Sequence, residues 1–191
     1  MTTRPLRLPR CELTVGSAWW VVGATALKPG TATVVLALGI LVAGGFLLAL
    51  RRRGVHGERL DRRERSRLLS VTFVAVMLVV VTTTVLRMLP APFDYAELSV
   101  PIAGLIVGVA VIRVGRLLNA PVTTVAGCVV GGIAVLGGLL ALQTAGDTYS
   151  SGLVGLGSAI VLWAAGSYRT GILGRAAPGP DQPTVPTRRL G

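Results

Sequence analysis

The sequence predicts an all-α integral membrane protein, a compact bundle of six transmembrane helices arranged as three hairpins. Three observations carry that expectation. Hydrophobic residues fill 52% of the 191 positions and charged residues only 14%, against about a quarter charged in a soluble domain. Apolar runs of roughly twenty residues recur along the chain, the length an α-helix needs to cross ~30 Å of hydrocarbon. The charges lie between those runs, and 17 of the 19 basic residues fall on alternate connections, which is the asymmetry that orients membrane helices.

The first run, residues 13–27, is the weakest. It reaches only about 22 Å as a helix, and Trp19 and Trp20 sit near its middle, away from the interface where indoles gather. It is read as a short span, with a surface helix as the alternative. Arg4, Arg7 and Arg10 ahead of it and Ala24-Thr25-Ala26 behind it also fit a cleaved signal peptide. Lys28-Pro29-Gly30 is expected to form the turn that follows. Residues 31–50 then run uninterrupted to Arg51, Arg52 and Arg53, and residues 68–89 run to Pro90 and Pro92, where the missing N–H ends a helix.

Residues 98–118 form the fourth span, with Arg113 and Arg116 extending their charges toward headgroups. Asn119-Ala120-Pro121 breaks the chain, and Pro121 suits the first turn of the fifth span, 121–142. The sixth, 148–168, has Trp163 and Tyr168 near its end, as an interfacial helix end would. Residues 171–191 are rich in Pro, Gly and Arg and are expected to be a disordered cytoplasmic tail.

With six spans, both termini and the loop from Arg51 to Arg67 face the cytoplasm of a plasma membrane, leaving Lys28 and Arg87 outside. If residues 13–27 do not span, the other five keep their orientation. Arginine outnumbers lysine 18 to 1, as in proteins of GC-rich bacterial genomes. The net charge of +11 is thereby explained by topology, so no nucleic-acid partner is expected. Cys11 and Cys128 fall in different environments and are read as free thiols.

Helix packing supplies the most specific pattern. Ala120, Gly127, Ala134 and Ala141 repeat by seven, and Thr124, Gly131, Gly138 and Ala145 form a second series. Together they make one small-residue face on the fifth helix, along which another backbone can approach closely. Gly104 and Gly108 make a GxxxG on the fourth helix, and Gly152, Gly155, Ala159 and Gly166 a similar face on the sixth. Such faces pack a bundle internally or join it to a second copy or partner subunit.

The loop from Arg51 to Arg67 holds eight arginines, including Arg51, Arg52, Arg53, Arg62, Arg63 and Arg65, against Glu58, Asp61 and Glu64. The i,i+4 pairs Glu58/Arg62 and Asp61/Arg65 support a helix start inside the loop. Beyond orienting the chain, it fits anionic headgroups at ~1 kcal/mol per basic residue near the surface, or an acidic cytosolic or membrane protein. At the opposite face, Arg87, Asp94, Glu97 and Asp147 could share an outer mouth that binds a polar or cationic ligand.

No catalytic constellation, metal set or cofactor motif is present. His56 is the only histidine, and Gly152-Leu-Val-Gly-Leu-Gly157 has the dinucleotide glycines in reversed order without a preceding strand. The threonines at 82–84, 123 and 124 are expected to bond the preceding turn of their own helices. The leading expectation is therefore a non-enzymatic membrane subunit or accessory component acting through helix packing and its basic loop. A small transporter or substrate-binding component is the competing class, and an intramembrane enzyme the third.

Overall fold

The computed structural model describes residues 9–52, 62–88, 98–143 and 149–169. Among them there are six helices and no strand: α1 (Pro9–Thr25), α2 (Pro29–Arg52), α3 (Arg62–Met88), α4 (Ser99–Leu117), α5 (Pro121–Gln143) and α6 (Tyr149–Arg169). Helices α2 to α6 are long and apolar enough to cross a membrane. At 17 residues, α1 is the shortest, about 25 Å at 1.5 Å per residue.

Two local features differ from the sequence expectation. Helix α1 starts at Pro9, ahead of the apolar run, and so takes Glu12 into its first turn. Proline is favoured at the first helical position, and a carboxylate there faces the positive end of the helix dipole. The turn to α2 is made by residues 26–28, with the Leu27 N–H donating to the Ala24 carbonyl at 3.1 Å. The Lys28 carbonyl already accepts the Ala32 N–H at 2.8 Å, so Pro29 and Gly30 open α2 instead of forming the turn.

The α4–α5 link is equally compact. Asn119 adopts φ 49°, the left-handed conformation that asparagine tolerates better than most residues. The Ala120 N–H donates to the Gly115 carbonyl at 2.8 Å, and the Asn119 N–H to the Arg116 carbonyl at 3.2 Å. That is the Schellman arrangement, which satisfies the last carbonyls of a helix. Pro121 then begins α5 immediately.

Helix α6 lies at the centre, with α1 along one side and α4 and α5 along the other, while α2 packs on α1 and α3 packs on α4. Helices α4, α5 and α6 all touch one another. The filled interior contains Ala103, Val130, Ala134, Val154, Ala159, Leu162 and Trp163. Ala24 is fully buried and Leu13, Trp19 and Trp20 are buried beside it. Leu13, Trp19, Trp20 and Ala24 thus contribute to the core, and α1 lies along α6 without being among the helices long and apolar enough to cross a membrane.

The apolar outer faces are the counterpart of that core. Ile40, Leu41, Leu47 and Leu48 on α2, and Phe73, Val76, Val80 and Met88 on α3, are all exposed. On α3 the inward residues recur at helical spacing, with Leu68, Val71, Ala75, Val79 and Leu86 half-buried. Among the described residues, one stripe of that helix meets protein.

Candidate functional site

Two glycine seams position everything else. Along α4 and α5, a Cβ at Gly108 would lie 2.9 Å from Gly131 N and 3.1 Å from Gly127 O, and one at Gly127 would lie 2.8 Å from Ile112 N. A Cβ at Gly104 would lie 2.9 Å from that of Ala134. Backbones meet here because side chains are missing. The small face of α5 is nevertheless divided. Gly131 offers its backbone to Gly108, but a Cβ of its own would meet nothing within 4 Å, and one at Gly138 would be at an ordinary 3.6 Å from Pro101 Cβ. Gly137, outside the expected series, is closed like Gly127, because a Cβ there would overlap the Val154 side chain.

The second seam joins α1 and α6, which run antiparallel. Gly23 faces the Gly155–Leu156 backbone, Gly16 faces Trp163, and Glu12 faces Gly166. A Cβ at Gly16 would lie 2.6 Å from Trp163 Cδ1. Trp20 stacks on Trp163 with ring centroids 5.0 Å apart and planes 21° apart. Its Nε1–H donates to the Val35 carbonyl of α2 at 2.7 Å, and Gly39 leaves the space that the indole occupies. The polar edge of a mid-helix tryptophan is therefore satisfied by protein, so it needs no interface.

At the end of this seam three helix termini converge on a buried ionic cluster. Arg169 Nη1, in the last turn of α6, donates to Glu12 Oε1 at 2.5 Å, with the two side chains 11% and 8% exposed. Thr123 Oγ1, in the first turn of α5, donates to the same oxygen at 2.8 Å and accepts from Arg169 Nη1 at 3.0 Å. Each charge sits at the helix end whose dipole favours it. Glu12 Oε2 is buried with no hydrogen-bond partner. The cluster is therefore built on one carboxylate oxygen.

Thr123 was expected to bond its own helix, and its position explains why it does not. Its i−4 residue is Asn119, which is left-handed, and its hydroxyl proton goes to Glu12 instead, whereas Thr124 does reach back, to the Ala120 carbonyl at 3.4 Å. Thr83 and Thr84 lie well inside α3 and do bond back, to Val79 and Val80 at 2.7 Å. Nothing in the apolar pattern marked Glu12 or Arg169 as partners. The spacing Glu12, Gly16, Trp19, Gly23 does trace one face of a helix, and it could have identified the seam.

The arginines border the same end of the molecule. Arg51 and Arg52 end α2, Arg63 and Arg65 lie in the first turn of α3, and all four are exposed. Arg113 and Arg116 are exposed at the end of α4. Arg53 and the rest of the loop through Asp61 lie outside the described residues, as does the side chain of Arg62. So do Asp94, Glu97 and Asp147, together with the Arg87 side chain and the tail at 171–191. Cys128 is a free, exposed thiol. Among the described residues no group of three His, Cys, Asp or Glu side chains could hold a metal ion.

No family model, curated protein or solved structure matches this chain.

Proposed function

We propose that this is a multi-pass plasma-membrane protein with both termini in the cytoplasm, and that it is a non-enzymatic subunit or accessory component. It works through helix packing and through a basic cytoplasmic face that holds anionic headgroups. The observation that carries this reading is the combination of outward apolar faces on α2 and α3 with exposed arginines gathered at one end. Apolar surface of that extent suits lipid, and basic residues are enriched on the cytoplasmic side. A bundle interior closed by glycine contacts and small side chains suits a scaffold better than a carrier.

The test uses the full chain in neutral detergent. Phosphatidylglycerol should raise its unfolding temperature more than phosphatidylcholine does. Replacing Arg51, Arg52, Arg63 and Arg65 with Gln should remove most of that difference, while neutralising Asp94, Glu97 and Asp147 should not. An undiminished response in the arginine variant would refute headgroup binding at this face. Loss of cellular function from the outer acids alone would favour the transporter reading.

A further inference from the structure

The seam between α4 and α5 is closed on one side and open on the other. Gly104, Gly108, Ile112 and Gly115 face Ala134, Gly131, Gly127 and Thr124 in turn, so the two helices run antiparallel. Residues one position before the seam, Ala103 on α4 and Ala126 and Val130 on α5, are buried, where α6 packs against both helices. Residues one position after it, Leu105, Val109, Arg113 and Arg116 on α4 and Cys128 and Val135 on α5, are all exposed. One residue turns a helix by about 100°, and in antiparallel neighbours the same step on each leads to the same side. The two exposed stripes therefore flank one groove.

The floor of the groove is backbone, because a Cβ at Gly131 would meet nothing within 4 Å. Its α4 wall is apolar at Leu105 and Val109 and basic at Arg113 and Arg116. Neither α4 nor α5 contains an acidic residue, so these arginines have no counter-charge on their own helices. The rise from Leu105 to Arg116 is about 16 Å at 1.5 Å per residue, close to half of the ~30 Å hydrocarbon core. We propose that the groove binds one anionic phospholipid of the cytoplasmic leaflet, with its phosphate on Arg113 and Arg116 and one acyl chain over Gly131. The proposal rests on the cytoplasmic placement of the arginine-rich end. It narrows headgroup binding to a single site on arginines other than Arg51, Arg52, Arg63 and Arg65.

Cys128, a free exposed thiol on the α5 wall, reports occupancy. The rate of its reaction with N-ethylmaleimide is measured on the full chain carrying Cys11→Ser, in neutral detergent. Phosphatidylglycerol should slow the reaction several-fold, while phosphatidylcholine and water-soluble glycerol phosphate should not. Changing Arg113 and Arg116 together to Gln should raise the phosphatidylglycerol needed for half-protection by about 30-fold, as expected for two basic residues at an anionic surface. Gly131→Leu, which fills the floor, should remove the response with the arginines intact, and Gly131→Ala should weaken it. Unfolding temperatures in lipid-free detergent check that each variant is folded. The variant with Gln at 51, 52, 63 and 65 should keep the protection, whatever becomes of its thermal response to the lipid, so the site and the wider basic face are tested separately. Equal protection by phosphatidylcholine, or full protection of the Arg113/Arg116 variant, would overturn the proposal. Protection that follows protein concentration instead of lipid would give the groove to a second copy of the chain and overturn it as well.

Discussion

The α4–α5 and α1–α6 seams solve one problem in different ways. Both bring backbones together through glycine, in pairs such as Gly108 with Gly127 and Gly23 with Gly155. The first joins consecutive helices through a three-residue link closed by Asn119. Its partners meet at little cost in loop closure. The second joins the first helix to the last, with Glu12 and Arg169 separated by 157 positions. It adds a charge pair and an indole stack to the glycines. Local seams need only fit, whereas a distant one also has to select its partner, and a buried ion pair fixes register through the penalty for mispairing.

The largest effect expected from breaking that contrast is at the ionic cluster. Arg169→Ala leaves Glu12 buried opposite an empty position and should cost about 3–5 kcal/mol. Thr123→Val, which removes one neutral donor to the same oxygen, should cost about 1–3 kcal/mol. Chemical denaturation in a fixed detergent would rank the two. A smaller loss for Arg169→Ala than for Thr123→Val would mean that the charge is not the organising element.

Next come the glycines. Gly127→Leu and Gly137→Leu place side chains where Ile112 and Val154 already sit, and overpacking should cost about 1–3 kcal/mol each. Gly131→Ala points its methyl group into open space and should fall within about 0.5 kcal/mol of the parent. Equal losses at Gly127 and Gly131 would contradict the division of the α5 face. Smaller than the losses at Gly127 and Gly137 is that of Trp20→Phe, which keeps a ring against Trp163 and removes the bond to Val35. It should cost roughly 0.5–1.5 kcal/mol, measured as a lowered unfolding temperature.

The same contrast explains what could be read in the sequence. Six helices were legible because apolar runs and punctuating prolines are local signals, and Gly104/Gly108 was legible because its spacing is repetitive. Helix α1 was harder. Its mid-helix tryptophans count against a span when the run is taken alone, and their burial is explained only when Val35 and Trp163 are brought to Trp20. Arg169 itself reads as one more basic residue at a helix end. The cluster depends on three termini meeting in space, and hydropathy carries no information about that. Gly137 escaped for a related reason. A seven-residue repeat marks the face toward α4, whereas Gly137 faces Val154 of α6.

The orientation and the role of α1 meet in one labelling experiment. After both native cysteines are replaced, single cysteines at Thr3, Lys28 and Ser66 are exposed to an impermeant maleimide in intact cells and again after permeabilisation. The account predicts that Lys28 reacts in intact cells, while Thr3 and Ser66 react only once the membrane is opened. Labelling of Thr3 along with Lys28 would show that α1 does not cross, and labelling of Ser66 from outside would contradict the cytoplasmic placement of the arginine face.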